Sequence, residues 1–172
     1  MTDWRAHFPD DSRVFWDRRV ADATGPLWPL ARRYIEAWRY DSQSPRAQML
    51  EDYILGLPAA VPPHHAEAID AAAEAVRSLL RGAGLIRLRL YRGQPAGEDW
   101  ERGEEVDLVG RGLTAWSPLR EVAIGHAARR RPGAVLVTTV SVDQVALAFD
   151  PTSDAEIVLL GVVTATVDTL VP

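Results

Sequence analysis

The chain has 172 residues, of which 47% are hydrophobic and 25% are charged, a composition typical of a globular protein large enough to bury a substantial core. Its net charge of −5 argues against general nucleic-acid binding and against binding to anionic membranes. The absence of cysteine, together with 19 basic residues that are all arginine, excludes disulfides, thiol nucleophiles, cysteine-ligated zinc and any site that needs a lysine.

The sequence lacks the features of a targeted or membrane-spanning protein. The segment MTDWRAHFPDD at the start is polar and acidic and has no apolar signal region. No run of about 18 apolar residues is present, so we expect no transmembrane helix and no membrane partner. With the absence of cysteine, these features predict a cytoplasmic protein, although a toxin injected by dedicated machinery would look the same. The length favours one domain over residues 1–172.

The first half of the chain, residues 1–84, has the pattern of helices. Apolar residues recur at helical spacing in the segments 24–41, 44–58 and 62–84. In the second segment, Ser44 is the expected N-cap, and Leu57 is expected in the buried stripe. Gly82 is the expected cap at the C-terminal end of the third helix.

The second half, residues 85–172, has the pattern of strands. Runs rich in Val, Ile, Leu and Thr predict strands at 85–92, 134–142, 144–149, 155–161 and 162–167. One helix is expected between them, with Ser117 as its N-cap and Pro118 as its first residue. Helices followed by a strand-rich half predict an α+β fold and argue against alternating βαβ units.

An arginine breaks the alternation of the first predicted strand. Ile86, Leu88 and Leu90 share one face of this strand, and the alternation places Arg92 on the same apolar face. Such an arginine either ends the strand at the surface, paired in a salt bridge, or reaches into a cleft and binds an anion.

Carboxylates break a second apolar pattern, in the sequence SDAEIVLLG. Asp154 and Glu156 share a strand face with Val158. Because the burial of unpaired charge is costly, we expect these acids and Arg92 to share one cleft. The alternatives left open are a solvated edge-strand position for Glu156 and a loop position for Asp154.

Three motifs thus follow one another in the second half. YRG at residues 91–93 precedes the strand-like GLTAWSP at 112–118, which leads into an Ala-rich helix, and an acid-x-Glu pair followed by IVLLG occupies 154–161. This order resembles the arginine–serine–glutamate ADP-ribosyltransferases, in particular the bacterial mono-ADP-ribosyltransferase toxins. The resemblance covers about residues 86–165, and a helical region before the arginine strand is also usual in bacterial members.

The resemblance implies a transferase that moves ADP-ribose from NAD to a protein acceptor and releases nicotinamide, or an NAD glycohydrolase. The helical half would pack on two bent sheets, with NAD as the substrate in the cleft between them and no metal. Arg92 would hold a diphosphate oxygen or ribose hydroxyl, and Gly93 would let its backbone approach the nicotinamide amide. Glu156 would bind the ribose 2′-hydroxyl and stabilise the developing positive charge, and Asp154 stands where the family places the residue that engages the acceptor.

The sequence departs from the family's pattern in two places. Ala115 stands where the family has its first motif serine, which hydrogen-bonds the catalytic glutamate, and Ser117 aligns with the second serine. Thr114 would supply the missing hydroxyl only if the strand bulges, and Trp116 is either a core residue or a stacking surface for the ligand. Asp154 is neither the Glu nor the Gln of the family, which leaves the acceptor open.

Two other functions are compatible with the sequence. Ala115 favours a catalytically weak or inactive protein of the same fold that binds a nucleotide or a protein partner. An unrelated α+β interaction module is the second alternative, because five of the six tryptophans precede residue 101 and would dock a partner. No metal site is expected, since none of the four histidines is spaced as a ligand pair.

Overall fold

The structure is a computed structural model that describes residues 12–108, 113–149, 156–160 and 163–172. The helices of the first half are α1 (Ser12–Thr24), α2 (Trp28–Tyr40), α3 (Pro45–Ile54) and α4 (Pro63–Gly82), with a short 3-10 turn, Gly25–Leu27, before α2. The second half contains β1 (Arg87–Pro95), β2 (Glu105–Leu108), β3 (Thr114–Trp116), α5 (Arg120–Ala128), β4 (Gly133–Ser141), β5 (Val145–Phe149), β6 (Glu156–Leu159) and β7 (Val163–Val171).

The strands form two antiparallel sheets. The larger sheet has the order β1-β4-β7-β2, and the smaller one has the order β3-β6-β5. A helical first half followed by two antiparallel sheets is an α+β fold, as the sequence predicts. No helix within the described residues is both long enough and apolar enough to cross a membrane.

Two apolar cores fix the order of the layers. Alternate residues of β6 point to opposite sides of the smaller sheet: Ile157 and Leu159 belong to the core shared with the larger sheet, and Val158 belongs to the core shared with α2, α3 and α4. Burial of both faces explains why β6 is almost continuously apolar. The smaller sheet therefore lies between α2 and α3 on one side and the larger sheet on the other, whereas α4 also contributes Ala75, Val76 and Leu80 to the core that the two sheets share.

At the ends of α3 and α4, the structure differs from the sequence prediction at Leu57 and at Gly82. Ser44 does cap α3, since its Oγ accepts a hydrogen bond from the amide of Ala47 at 3.2 Å. Leu57, however, is 52% exposed, because α3 ends at Ile54 and the chain turns at Gly56 with a φ of +69°. In α4, Gly82 is still helical, and Gly84, with a φ of +79°, takes the left-handed conformation after the helix.

The strands of the second half also differ from their predicted bounds. The first strand begins at Arg87 and continues to Pro95, so Ile86 precedes it and is 72% exposed rather than part of the apolar face. The strand β2 has no counterpart in the sequence prediction, because EVDL carries two acids and reads as polar. The strand β7 continues to Val171, four residues beyond the predicted end at Val167.

The helix α5 starts later than the sequence predicts. Ser117 is not its N-cap and Pro118 is not its first residue, because the helix begins at Arg120 and its N-cap is Leu119. Both backbone hydrogen-bonding groups of Ser117 pair with Tyr91 of β1, which holds Ser117 extended. Its hydroxyl oxygen instead accepts the amide of Leu119 at 3.0 Å, which makes a short turn before the helix.

Candidate active site

A backbone bridge joins the two sheets, and the candidate site lies beside it. The amide of Tyr91 in β1 donates to the carbonyl of Ser117 at 2.7 Å, and the amide of Ser117 donates to the carbonyl of Tyr91 at 2.8 Å. This bridge brings the last part of β1 against the end of β3. Arg92, the next residue of β1, therefore lies where the larger sheet meets the smaller one.

The guanidinium of Arg92 is fixed between the two sheets. Its Nη1 donates to the carbonyl oxygen of Ala115 at 2.7 Å, and its Nε donates to Oε1 of Gln94 at 3.1 Å. Gln94 lies two residues further along β1, on the same strand face as Arg92. These two bonds fix the plane of the guanidinium. A guanidinium has five N–H donors, so the donors that these bonds do not use remain available to a ligand.

A cavity of about 270 Å³ opens around Arg92. Its walls come from β1, β3, β6 and α5, so that both sheets and one helix contribute. The lining residues are Tyr91, Arg92, Gly93, Gln94, Ala115, Trp116, Ser117, Val122, Ala123, His126, Arg130 and Glu156. The structure thus brings Arg92 and Glu156, which are 64 positions apart in sequence, to the same cavity.

The electrostatics of the cavity suit an anion. Partial burial lowers the pKa of Arg92, repulsion from Arg130 lowers it further, and attraction to Glu156 acts in the opposite direction. Two guanidinium groups that repel one another in one cavity are stabilised by a ligand that carries negative charge. His126 lies on the exposed side of α5 and lines the same cavity.

Glu156 begins β6 at the edge of this cavity. The register of β3 against β6 pairs Trp116 with Ile157, so the next position along each strand places Ser117 opposite Glu156. The carboxylate of Glu156 also approaches Arg39 of α2, with 3.9 Å between Glu156 Oε2 and Arg39 Nε. Side-chain exposure of 27% leaves the carboxylate within reach of a ligand.

Gly93 is required by packing against α5. A Cβ at this position would overlap the backbone carbonyl of Ala123 and would lie 2.6 Å from the backbone nitrogen of Ala127. The same close approach lets the backbone of Gly93 form part of the cavity wall. Gly93 therefore has a structural role whether or not it contacts nicotinamide.

Of the other described residues predicted for the site, Trp116 lines the cavity and Thr114 does not. Trp116 is 2% exposed and belongs mainly to the core, with one edge at the cavity. Thr114 lies outside the lining of the cavity, and its Oγ1 accepts the indole N–H of Trp116 at 3.0 Å. Its hydroxyl therefore contacts the indole of Trp116 and not the cavity. Asp154 lies outside the described residues.

Sequence reasoning missed Gln94, His126 and Arg130. The position of Gln94 could have been found, because strand alternation places it on the face of Arg92. His126 and Arg130 lie on α5 and just after it, and only the packing of α5 across β1 and β4 brings them to the cavity. Arg129 and Arg131, on either side of Arg130, carry the same charge and do not line the cavity.

Metal ligation has no candidate in the described part of the chain. Among residues 12–108, 113–149, 156–160 and 163–172, no group of three or more His, Cys, Asp or Glu side chains is placed to hold a metal ion. The polar side-chain groups that line the cavity include guanidinium, carboxylate, carboxamide, imidazole and hydroxyl.

Comparison with models of protein families and with curated proteins finds no match to this sequence. Among solved structures, the chain is similar to Vis toxin, an ADP-ribosyltransferase from Vibrio splendidus. The sequence identity is 17% and the TM-score is 0.40, with 88% of this chain and 75% of the toxin chain covered. Similarity at this level assigns no role to any residue of this chain.

Proposed function

We propose that this protein cleaves NAD and transfers ADP-ribose to a protein acceptor, in the manner of the mono-ADP-ribosyltransferases. The single observation that supports the proposal best is that Arg92 and Glu156, on different sheets, line one cavity. Arg92 would hold the diphosphate of NAD, and Glu156 would contact the ribose attached to nicotinamide. Without an acceptor, water would take its place and the reaction would be NAD hydrolysis.

The proposed reaction breaks the bond between C1′ of the ribose and the nicotinamide nitrogen. The bonding electron pair leaves with nicotinamide, which departs as a neutral molecule, and C1′ acquires oxocarbenium character. An acceptor nucleophile then bonds to C1′ and loses its proton. The positive charge develops on the ribose, so a carboxylate beside it stabilises the transition state more than the ground state.

The other cavity residues fit this proposal. Gln94 and the carbonyl of Ala115 orient the guanidinium of Arg92 before the ligand arrives, which lowers the entropy cost of binding. Arg130 adds a second positive charge to the same cavity. Asp154, two positions before Glu156 in the sequence, is proposed to engage the acceptor.

A second candidate function is binding without catalysis, and Ala115 favours it. A methyl group at this position cannot donate the hydrogen bond that a serine would give to the glutamate. The cavity would then bind a nucleotide through its arginines and leave the glycosidic bond intact. The two candidate functions differ in whether the protein releases nicotinamide from NAD.

The test combines a chemical readout with a binding readout on purified protein. Nicotinamide release from NAD is measured for the wild type, Glu156→Gln and Arg92→Ala, and the NAD-induced rise in melting temperature is measured for each. We expect release by the wild type, a loss of about 100-fold or more in Glu156→Gln with NAD binding retained, and loss of both readouts in Arg92→Ala.

Two outcomes contradict the transferase proposal. An NAD-induced rise in melting temperature without nicotinamide release supports the binding protein. Neither release nor a rise in melting temperature, from a protein that unfolds cooperatively, overturns both functions of the cavity.

A further inference from the structure

We propose that Arg39, at the end of α2, is a positioning residue that holds the carboxylate of Glu156 in place for the reaction. The inference rests on the proposed function, because it assigns Glu156 a task in NAD cleavage. It extends the site beyond the β-rich half, since Arg39 belongs to the helical half of the chain.

The contact between the two side chains crosses from α2 to the start of β6, the middle strand of the smaller sheet. Nε of Arg39 lies 3.9 Å from Oε2 of Glu156, and the two side chains are 20% and 27% exposed. A half-buried pair of opposite charges at this separation attracts more strongly than a pair in open solvent. The contact therefore restricts the rotamers of the carboxylate at the first residue of β6.

Arg39 acts through Glu156 because it does not itself line the cavity. The helix α2 that carries it packs against the core on the outer face of the smaller sheet, through Tyr34 and Ile35. That packing fixes the end of α2 relative to β6. A change at Arg39 should therefore alter the placement of Glu156 and leave the binding of NAD to Arg92 nearly unchanged.

The neighbouring strand β3 places no charged side chain beside Glu156. Ala115, diagonal to Glu156 across β3 and β6, has only a methyl group at the cavity. The hydroxyl of Ser117, opposite Glu156, accepts the amide of Leu119 and carries no charge. In this proposal Arg39, from the helical half, supplies a positive charge beside the carboxylate, a role that neither Ala115 nor Ser117 can take.

The kinetic test compares Arg39→Met with Arg39→Lys. Methionine keeps most of the length and removes the charge, so we expect kcat for nicotinamide release to fall about 10-fold while KM changes less than about twofold. Lysine restores a positive charge and should recover a large part of kcat. A purely structural role for Arg39 predicts instead that both variants lose stability and that lysine gives no recovery of kcat.

The same helix offers a matched control. Arg32 lies seven residues, or about two turns, before Arg39 on α2 and pairs with Glu36 on the surface. The substitution Arg32→Met removes a cation from this helix without touching Glu156, and kcat should remain at the wild-type value. Equal losses of kcat in Arg32→Met and Arg39→Met would overturn the inference.

A test that needs no activity separates this inference from the proposed function. Melting temperatures are measured for Arg39→Met, Glu156→Gln and the double variant without NAD. The ion pair predicts that the double variant loses less melting temperature than the sum of the single losses, because either substitution alone breaks the same contact. Additive shifts overturn the inference even if NAD is cleaved, whereas coupling without cleavage overturns only the proposed function.

Discussion

Arg92 of β1 is bonded to the backbone of β3: its Nη1 donates to the carbonyl oxygen of Ala115 at 2.7 Å. The bond crosses from the larger sheet to the smaller one, beside the backbone bridge between Tyr91 and Ser117. The arginine is thus part of the junction between the sheets as well as part of the cavity. A ligand that binds Arg92 contacts a guanidinium that the fold has already oriented.

The substitution Arg92→Lys tests whether that orientation matters. Lysine keeps the charge but lacks the planar fork, so it cannot bond Ala115 and Gln94 and still present two donors to a diphosphate. We expect NAD affinity to fall about 10- to 100-fold, the loss of one charge-assisted hydrogen bond. Isothermal titration with NAD measures this, and wild-type affinity in the lysine variant would show that a point charge is sufficient.

The run of three arginines after α5 provides an internal control for the charge of the cavity. Arg130 lines the cavity, and Arg131 beside it does not. We expect Arg130→Ala to weaken NAD binding about 10-fold and Arg131→Ala to change it less than about twofold, because an exposed charge outside the site is largely screened. Equal weakening by the two variants would point to a long-range effect of net charge.

Substitution by alanine should have opposite effects on stability at Gly93 and at Gly125. An added methyl at Gly93 overlaps the backbone of α5, so Gly93→Ala should lower the free energy of unfolding by about 1–3 kcal/mol. A methyl at Gly125, within α5, meets nothing within 4 Å, and Gly125→Ala should raise that free energy by about 0.5–1 kcal/mol. Denaturant unfolding measures both, and a neutral Gly93→Ala would contradict the packing described for α5.

His65 predicts a pH dependence of stability in the helical half. Burial lowers the pKa of His65, and the nearby charges of His64, Arg33 and Arg46 lower it further. The unfolded chain therefore binds the proton more readily, so the stability from neutral His65 is present above about pH 6.5 and is lost as the pH falls. The melting temperature should fall more between pH 7.5 and 5.5 in the wild type than in His65→Asn, which keeps a polar group near the hydroxyl of Tyr34. An equal fall of the melting temperature in the wild type and in His65→Asn would contradict the predicted effect of His65.

The sequence predicted the fold class because the periodicity changes near residue 84. Helical spacing before that point and strand alternation after it depend on local burial, which a single sequence records. The pairing order β1-β4-β7-β2 depends on contacts between distant segments, and nothing local specifies it. The strand β2 was missed because two of its four residues are acidic and only Val106 among them is buried.

The candidate site was predictable where a charge interrupts an apolar pattern. Arg92 and Glu156 stood out for that reason, since a charged side chain on an apolar strand face needs a partner or a ligand. Arg39 and Arg130 had no such signal, because an arginine at the end of a helix is ordinary at the protein surface. Only the packing of α2 and α5 gives these two residues their positions.

The most direct measurement is the separate determination of kcat and KM for nicotinamide release by the wild type, Glu156→Gln and Arg92→Lys. If Arg92 holds the diphosphate and Glu156 stabilises the ribose charge, Glu156→Gln lowers kcat about 100-fold or more with a similar KM, and Arg92→Lys mainly raises KM. Nicotinamide release that is the same in the wild type and in Glu156→Gln would contradict the account, because the carboxylate of this cavity would then take no part in the reaction.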